Sequence, residues 1–251
     1  MTVREFIRQF NATLDRSLTG GVKWILLANV AVFLVEQLVL VPLNWDDIFV
    51  YLFAQTPVVR FVEAPSGGIR AMINWLAPVQ FLSYMFIHAN VWHLFWNMFA
   101  LWFFGPPMEA RWGRVAFLKF YLFAGFGAGA LHGLIAPFFL GENYLMIGAS
   151  GAIFGVLLAF AMYYPRQPVL LWFILPMPSQ YFVALIGLVT LVSLFGSGGS
   201  HISHLTHLAG LASGYAWLRL YERFPRLWLV NEAVSPFSRR ARWDRDDDRW
   251  A

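Results

Sequence analysis

Long apolar runs, separated by short clusters of Pro, Gly and charge, make up most of this chain. They extend from about Trp24 to Val41, Val91 to Phe104, Val115 to Phe139, Ala149 to Tyr164, Val169 to Phe195 and Ile202 to Tyr221. An apolar run of about 20 residues, rising ~1.5 Å per residue as a helix, crosses a hydrocarbon layer ~30 Å thick. Pro42, Gly105-Pro106-Pro107, Pro137, Pro165 and Gly196-Ser197-Gly198-Gly199 stand at the ends of runs, where helices stop. The pattern predicts an all-α membrane protein with a six-helix core over residues 22–222. A segment 1–21 precedes the core and a tail 223–251 follows it. The loop 43–80 mixes Trp45, Phe49, Tyr51, Phe53 and Trp75 with Asp46, Asp47, Arg60 and Arg70, which suits a segment lying in the bilayer interface.

Composition agrees, with 59% hydrophobic residues, 13% charged residues and a mean hydropathy of +0.58, and it leaves no room for a sizeable soluble domain. The chain has no cysteine, which excludes disulfides, thiolate metal sites and a cysteine nucleophile. With the amino terminus inside, all 18 Lys and Arg residues except Arg60 and Arg70 fall on the cytoplasmic side. Both termini are therefore expected in the cytoplasm and, in a bacterium, the bundle in the inner membrane. The first twenty residues read as a cytoplasmic lead-in, because they lack an apolar stretch followed by a small-residue cleavage site. The net charge of +4 follows from this asymmetry and needs no nucleic-acid partner. The Arg- and Asp-rich tail reads as a solvated extension.

Against this apolar background, polar residues inside the runs stand out, because burying them in lipid is costly. His93 and Asn97 lie in the second run, Gly148-Ala149-Ser150-Gly151 opens the fourth, and His207 lies in the sixth. A serine with a distant histidine is the minimum set for nucleophilic peptide cleavage. Spans two, four and six run in the same direction, so these residues share the outer ends. Ser150 lies about 24 Å of helix from Arg166, and His207 about 18 Å from Arg219, so the two side chains can share one depth. Gly151 and Gly155 on span four, with Gly210 and Gly214 on span six, have the four-residue spacing that lets two helix backbones approach closely.

Each residue also has an ordinary explanation. Ser150 could bond the carbonyl one turn back, His207 a backbone carbonyl, and Asn97 could join two helices. Gly125, Gly129 and Gly133 read as packing positions. The pairs His88/His93 and His204/His207 lack the glutamate of a His-Glu-x-x-His zinc site, and no metal or other cofactor is expected. A transporter would need an intramembrane relay, for which Glu36 and His132 are the candidates. Both read more simply as boundary or helix-pairing residues.

Taken together, the motifs His88-Ala-Asn-Val-Trp-His93-Leu-Phe-Trp-Asn97, Glu109-Ala-Arg111, Gly148-Ala-Ser150-Gly151 and His207-Leu-Ala-Gly210-Leu-Ala-Ser-Gly214 resemble the rhomboid family of intramembrane serine proteases over about Leu26 to Tyr221. The chain departs from the family pattern at Val79-Gln80, where Trp-Arg is frequent, and at Thr206, where alanine is usual. These departures bear on loop anchoring and local packing. The resemblance implies a six-helix rhomboid-like bundle and a catalytic dyad of Ser150 as nucleophile and His207 as base. It further implies Phe154 packed on that histidine and His93, Asn97 and the Ser150 N–H as oxyanion donors. Gly148 would let the loop approach the substrate. It implies other membrane proteins as substrates, cut within transmembrane segments near their outer ends. The fifth span and the 196–203 loop would form the gate and cap. A non-catalytic relative of the derlin type, which binds and escorts membrane segments, shares the scaffold, but the intact Ser150 and His207 pair argues against it. The natural substrate and the oligomeric state are not readable from the chain.

Overall fold

The apolar runs become helices, and the few polar groups among them decide how the helices are joined. The computed structural model describes residues 20–63, 69–138, 145–171, 174–195 and 201–223. The lead-in and the charged tail therefore fall almost entirely outside the described residues, as does 196–200 of the expected cap. Helix α1 (Gly21–Val35) continues through a π-helical turn, Glu36–Leu40. Gly20 has no side chain to cap the helix, and Glu109 from a later helix caps it instead. The Glu109 carboxylate accepts from the Gly21 N–H and, at 2.8 Å, from the Val22 N–H.

The 43–80 loop is built, not irregular. It contains α2 (Asp46–Phe53), the antiparallel hairpin β1 (Val59–Glu63) and β2 (Ile69–Ile73), and α3 (Ala77–Ser83), which leads into a 3₁₀ turn at Tyr84–Phe86. On α2 and its approach, Trp45, Ile48, Tyr51 and Phe53 are exposed. Gln80, almost fully buried, anchors the loop. Its Oε1 accepts from the Thr56 hydroxyl at 3.1 Å and from Asn74 Nδ2 at 2.8 Å, and its Nε2 donates to the Tyr51 carbonyl at 3.0 Å. The departure at Val79-Gln80 thus supplies an anchor of its own.

Helix α4 (Val91–Trp112) begins with Asn90, whose side chain accepts from the His93 N–H at 2.9 Å. Sequence pattern ends this helix at Phe104, but it continues through Pro106 and Pro107 to Gly113, which has φ +81°. Tertiary packing overrides the proline signal. Gly105 fits against Val22 of α1, and the Tyr164 hydroxyl reaches the Pro107 carbonyl. Helix α5 (Arg114–Ile135) follows, with a 3₁₀ turn at Ala136–Phe138. Gly125, Gly129 and Gly133 make it a trough for Met85, Tyr84, Phe81 and Gln55, so the packing expected of them joins loop to bundle.

Helix α6 (Ser150–Tyr163) is the enclosed centre, with Ala152, Val156, Ala159 and Phe160 buried between α4, α5 and α8 (His201–Arg223). The fifth run differs from expectation. Its first half is a hairpin, β3 (Pro168–Leu171) with β4 (Leu175–Pro178), and α7 covers only Ser179–Leu194. Pro176 and Pro178 cannot donate in a helix interior, so helix formation waits until Ser179. The core is helical, and the two hairpins are confined to connections. Residues Gly21–Leu40 and Arg114–Phe138 form helices long and apolar enough to cross a membrane, while α6 and α7 are apolar but shorter. Leu38, Trp92, Leu188, Val192 and Phe195 are exposed, an outer surface that suits lipid rather than water.

Between α6 and α8 the backbones touch. A Cβ at Gly210 would overlap the Gly151 carbonyl, and one at Gly214 would stand 2.8 Å from the Gly155 Cα. By contrast, a Cβ at Gly187 on α7 meets only Leu211, at an ordinary 3.5 Å. Gly210→Ala should therefore lose about 1–3 kcal/mol of stability by overpacking, whereas Gly187→Ala should gain up to about 1 kcal/mol from helix propensity. Thermal unfolding of the two variants in lipid bicelles checks the opposite signs.

Candidate active site

Ser150 is the first residue of α6, placed there by the turn through Gly148 and Ala149. Gly148 has φ +111°, a conformation side chains resist, and its N–H donates to the Tyr84 carbonyl at 2.9 Å. Tyr84 is tied in turn to α5, its hydroxyl donating to the Gly125 carbonyl at 2.9 Å. As the helix opens at Ser150, the N–H groups of its first turn have no acceptor within the helix. The positive end of the helix dipole and these donors therefore surround the serine.

His207 reaches this point from α8. Its Nε2 lies 2.9 Å from the Ser150 Oγ, within hydrogen-bond range. The ring lies flat against Phe154, with centroids 4.0 Å apart and planes 7° from parallel, which fixes the imidazole plane. Phe154 is one turn beyond Ser150, so one helix carries both the hydroxyl and the ring that orients its partner.

His93 approaches from the other side. A Cβ on Gly148 would stand 2.6 Å from the His93 Nε2, so only glycine leaves room for the ring. The Ala89 N–H donates to His93 Nδ1 at 3.3 Å. A neutral imidazole that accepts at Nδ1 carries its proton at Nε2, so the nitrogen facing Gly148 is a donor. Asn97 lies one turn further along the same face, and its Nδ2 donates to the His93 carbonyl at 2.8 Å. That bond uses one of its two amide protons and leaves the other available. His88 is buried beside His93, ring centroids 5.0 Å apart, on the loop before α4. Burial first, and the adjacent His93 second, push its pKa down to about 4, so it is neutral at physiological pH.

The structure therefore brings together Ser150, His207, Phe154, Gly148 and His93, with Asn97 next to His93 on α4. Gly151, Gly155, Gly210 and Gly214 form the backbone contact between α6 and α8 next to the site. Among the described residues, no group of three or more His, Cys, Asp or Glu side chains is placed to hold a metal ion. Sequence reasoning missed Tyr84, which lies in an apolar stretch without any local signal. It also missed the pairing of Gln55 with Met146, whose backbone groups exchange two hydrogen bonds of 3.0 and 2.9 Å and tie the 43–80 loop to the segment leading into Gly148. His132, read as a helix-pairing residue, does pair helices, through a 2.9 Å contact of its Nδ1 with the Thr206 hydroxyl.

Residues 75–224, more than half of the chain, match the family model for the Rhomboid domain. The chain belongs to the rhomboid family of membrane proteins. It is 31% identical over 140 residues to Rhomboid-like protein 11, chloroplastic, of Arabidopsis thaliana, covering 55% of this chain and 40% of that protein. It is 31% identical over 163 residues to Rhomboid protein 1, mitochondrial, of Saccharomyces cerevisiae, covering 63% and 40%. With Rhomboid protease GluP of Bacillus subtilis it shares 32% identity over 128 residues, 45% of this chain and 24% of that protein. The aligned part of the chain thus spans about two-fifths of the first two relatives.

The hydrogen bond from Ala89 sets the His93 tautomer. Nitrogen-15 NMR of histidine-labelled protein should show the neutral His93 ring protonated at Nε2. Ala89→Pro, which removes the N–H, should shift population toward the Nδ1-protonated form.

Proposed function

We propose that this chain is an intramembrane serine endopeptidase that cuts transmembrane segments of other membrane proteins near their outer ends through a Ser150–His207 dyad. The observation that carries the reading is the 2.9 Å contact between Ser150 Oγ and His207 Nε2, with Phe154 stacked on the imidazole. In this reading Ser150 donates its proton to His207 as the oxygen attacks the scissile carbonyl, and His207 then passes the proton to the leaving amine. Water repeats the sequence in reverse on the acyl-enzyme. His93 Nε2–H, the second amide proton of Asn97 and the Ser150 N–H take the oxyanion. Gly148, without a side chain, lets the substrate backbone lie against the loop. The dyad needs no cofactor.

The helices that carry the site belong, in this reading, to a six-span bundle with both termini on the cytoplasmic side and the 43–80 loop in the outer interface. Three considerations support it: the six apolar runs, the charge asymmetry between loops and the exposed apolar side chains. A transmembrane helix hides its peptide bonds in its own hydrogen-bond ladder, so the favoured substrates unwind locally near Gly or Pro. The gate and cap roles of α7 and the 196–203 loop belong to the same proposal.

Purified protein in proteoliposomes with a single-span reporter substrate tests this reading. Wild type should cleave, and Ser150→Ala and His207→Ala should each lose more than about a thousandfold in rate. Equal cleavage by all three proteins would overturn the dyad, and no cleavage by folded wild type against a panel of such reporters would favour a non-catalytic membrane-segment binder.

A further inference from the structure

Thr206 precedes the proposed base on α8, and its side chain is wedged among three elements. Its hydroxyl lies 2.9 Å from His132 Nδ1 on α5 and also contacts the Met146 sulfur, in the segment that leads to Gly148. Its methyl sits where a Cβ on Gly151 would approach to 3.1 Å, against the backbone next to Ser150. Thr206 and His132 are both buried, at 2% and 0% exposure, so this polar contact forms in the interior of the bundle. A hydrogen bond made there is geometrically demanding, since neither group can turn to water instead.

Adjacent residues on a helix point about 100° apart, so α8 is held at two azimuths by consecutive side chains. His207 faces Ser150 on α6, while the Thr206 hydroxyl faces His132 on α5 and its methyl lies against Gly151 of α6. The glycine contacts at Gly210 and Gly214 fix how near α8 comes to α6. Close approach of two smooth glycine surfaces leaves rotation about the α8 axis and sliding along it weakly determined. Trp217, packed against Phe120 and Phe123 of α5, restrains α8 further along its length, and the Thr206 bond does so next to the dyad.

We infer that Thr206 and His132 form a positioning pair that sets the rotation of α8 and so holds the His207 imidazole in register with Ser150. Neither residue touches the reacting atoms. The pair does in this chain what side-chain bulk alone would have to do with alanine at 206. The inference rests on the dyad reading above, and the experiment separates the two.

Kinetics are measured on folded, lipid-reconstituted protein, with Ser150→Ala as the inactive reference. Thr206→Val keeps the shape and removes the hydroxyl, and kcat should fall about tenfold with KM unchanged, because a base held out of register impairs the chemical step rather than binding. Thr206→Ser keeps the hydroxyl and should retain kcat within about twofold of wild type. His132→Phe should fall like Thr206→Val, and the double variant should fall no further, the non-additivity expected of a pair acting as a unit. Wild-type kcat in Thr206→Val, equal losses in the valine and serine variants, a change in KM alone, or additive losses would each overturn the inference while leaving the dyad intact. If Thr206→Val does not fold, His132→Asn, which keeps a polar group near the hydroxyl, is compared with His132→Leu, and equal kcat in those two overturns it. Inactive wild type, or active Ser150→Ala, instead sinks the dyad reading on which the pair depends.

Discussion

The contact between two helix backbones at Gly151–Gly210 and Gly155–Gly214 is the constraint from which the rest of the site follows. A serine side chain extends one carbon and one oxygen from its helix, so it meets an imidazole on a neighbouring helix only when the axes come unusually close. Larger residues at these four positions would separate α6 from α8 and break the 2.9 Å Ser150–His207 contact. Close approach also brings Phe154 flat against the same imidazole. In lipid there is little hydrophobic force between helices, so shape complementarity of this kind contributes much of the association.

Around that contact many buried polar groups find partners, some one turn away and some on distant elements, as a low-dielectric interior favours. Asn29 and Asn97 each donate to the carbonyl one turn back. Glu109 caps α1 from the neighbouring α4. Gln80 gathers Thr56, Asn74 and the end of α2 into a single anchor. A second chain of contacts runs from α5 through Tyr84 to Gly148, and a third from Gln55 through Met146 into the same segment. The loop that presents Gly148 is thus held from the bundle and from the 43–80 segment together. His93 and the opening of α6 keep a fixed relation on either side of it.

Much of this site is legible in the sequence because its signals are local and periodic. Gly151/Gly155 and Gly210/Gly214 announce a close helix pair by spacing alone, and polar residues in apolar runs single out Ser150, His207, His93 and Asn97. What the chain hides is long-range or cooperative. Pro106 and Pro107 look like the end of a helix, yet neighbouring side chains carry α4 past them to Trp112. The fifth run looks like one long span, yet its first half folds into a hairpin, because run length is blind to Pro176 and Pro178 within it. Thr206 stands out in sequence as a departure from the family pattern and His132 as an intramembrane histidine, but nothing pairs them there, and only the packing of α5 on α8 gives their contact meaning.

The central claim is that a serine hydroxyl and a histidine from separate helices form one reactive unit inside the bundle. It is tested most directly by treating the bilayer-reconstituted protein with a fluorophosphonate and locating the adduct by mass spectrometry. The account predicts a single phosphonylated residue, Ser150, whose labelling is abolished in folded His207→Ala protein. Labelling at another residue, or at Ser150 with undiminished rate in the absence of the imidazole, would contradict it.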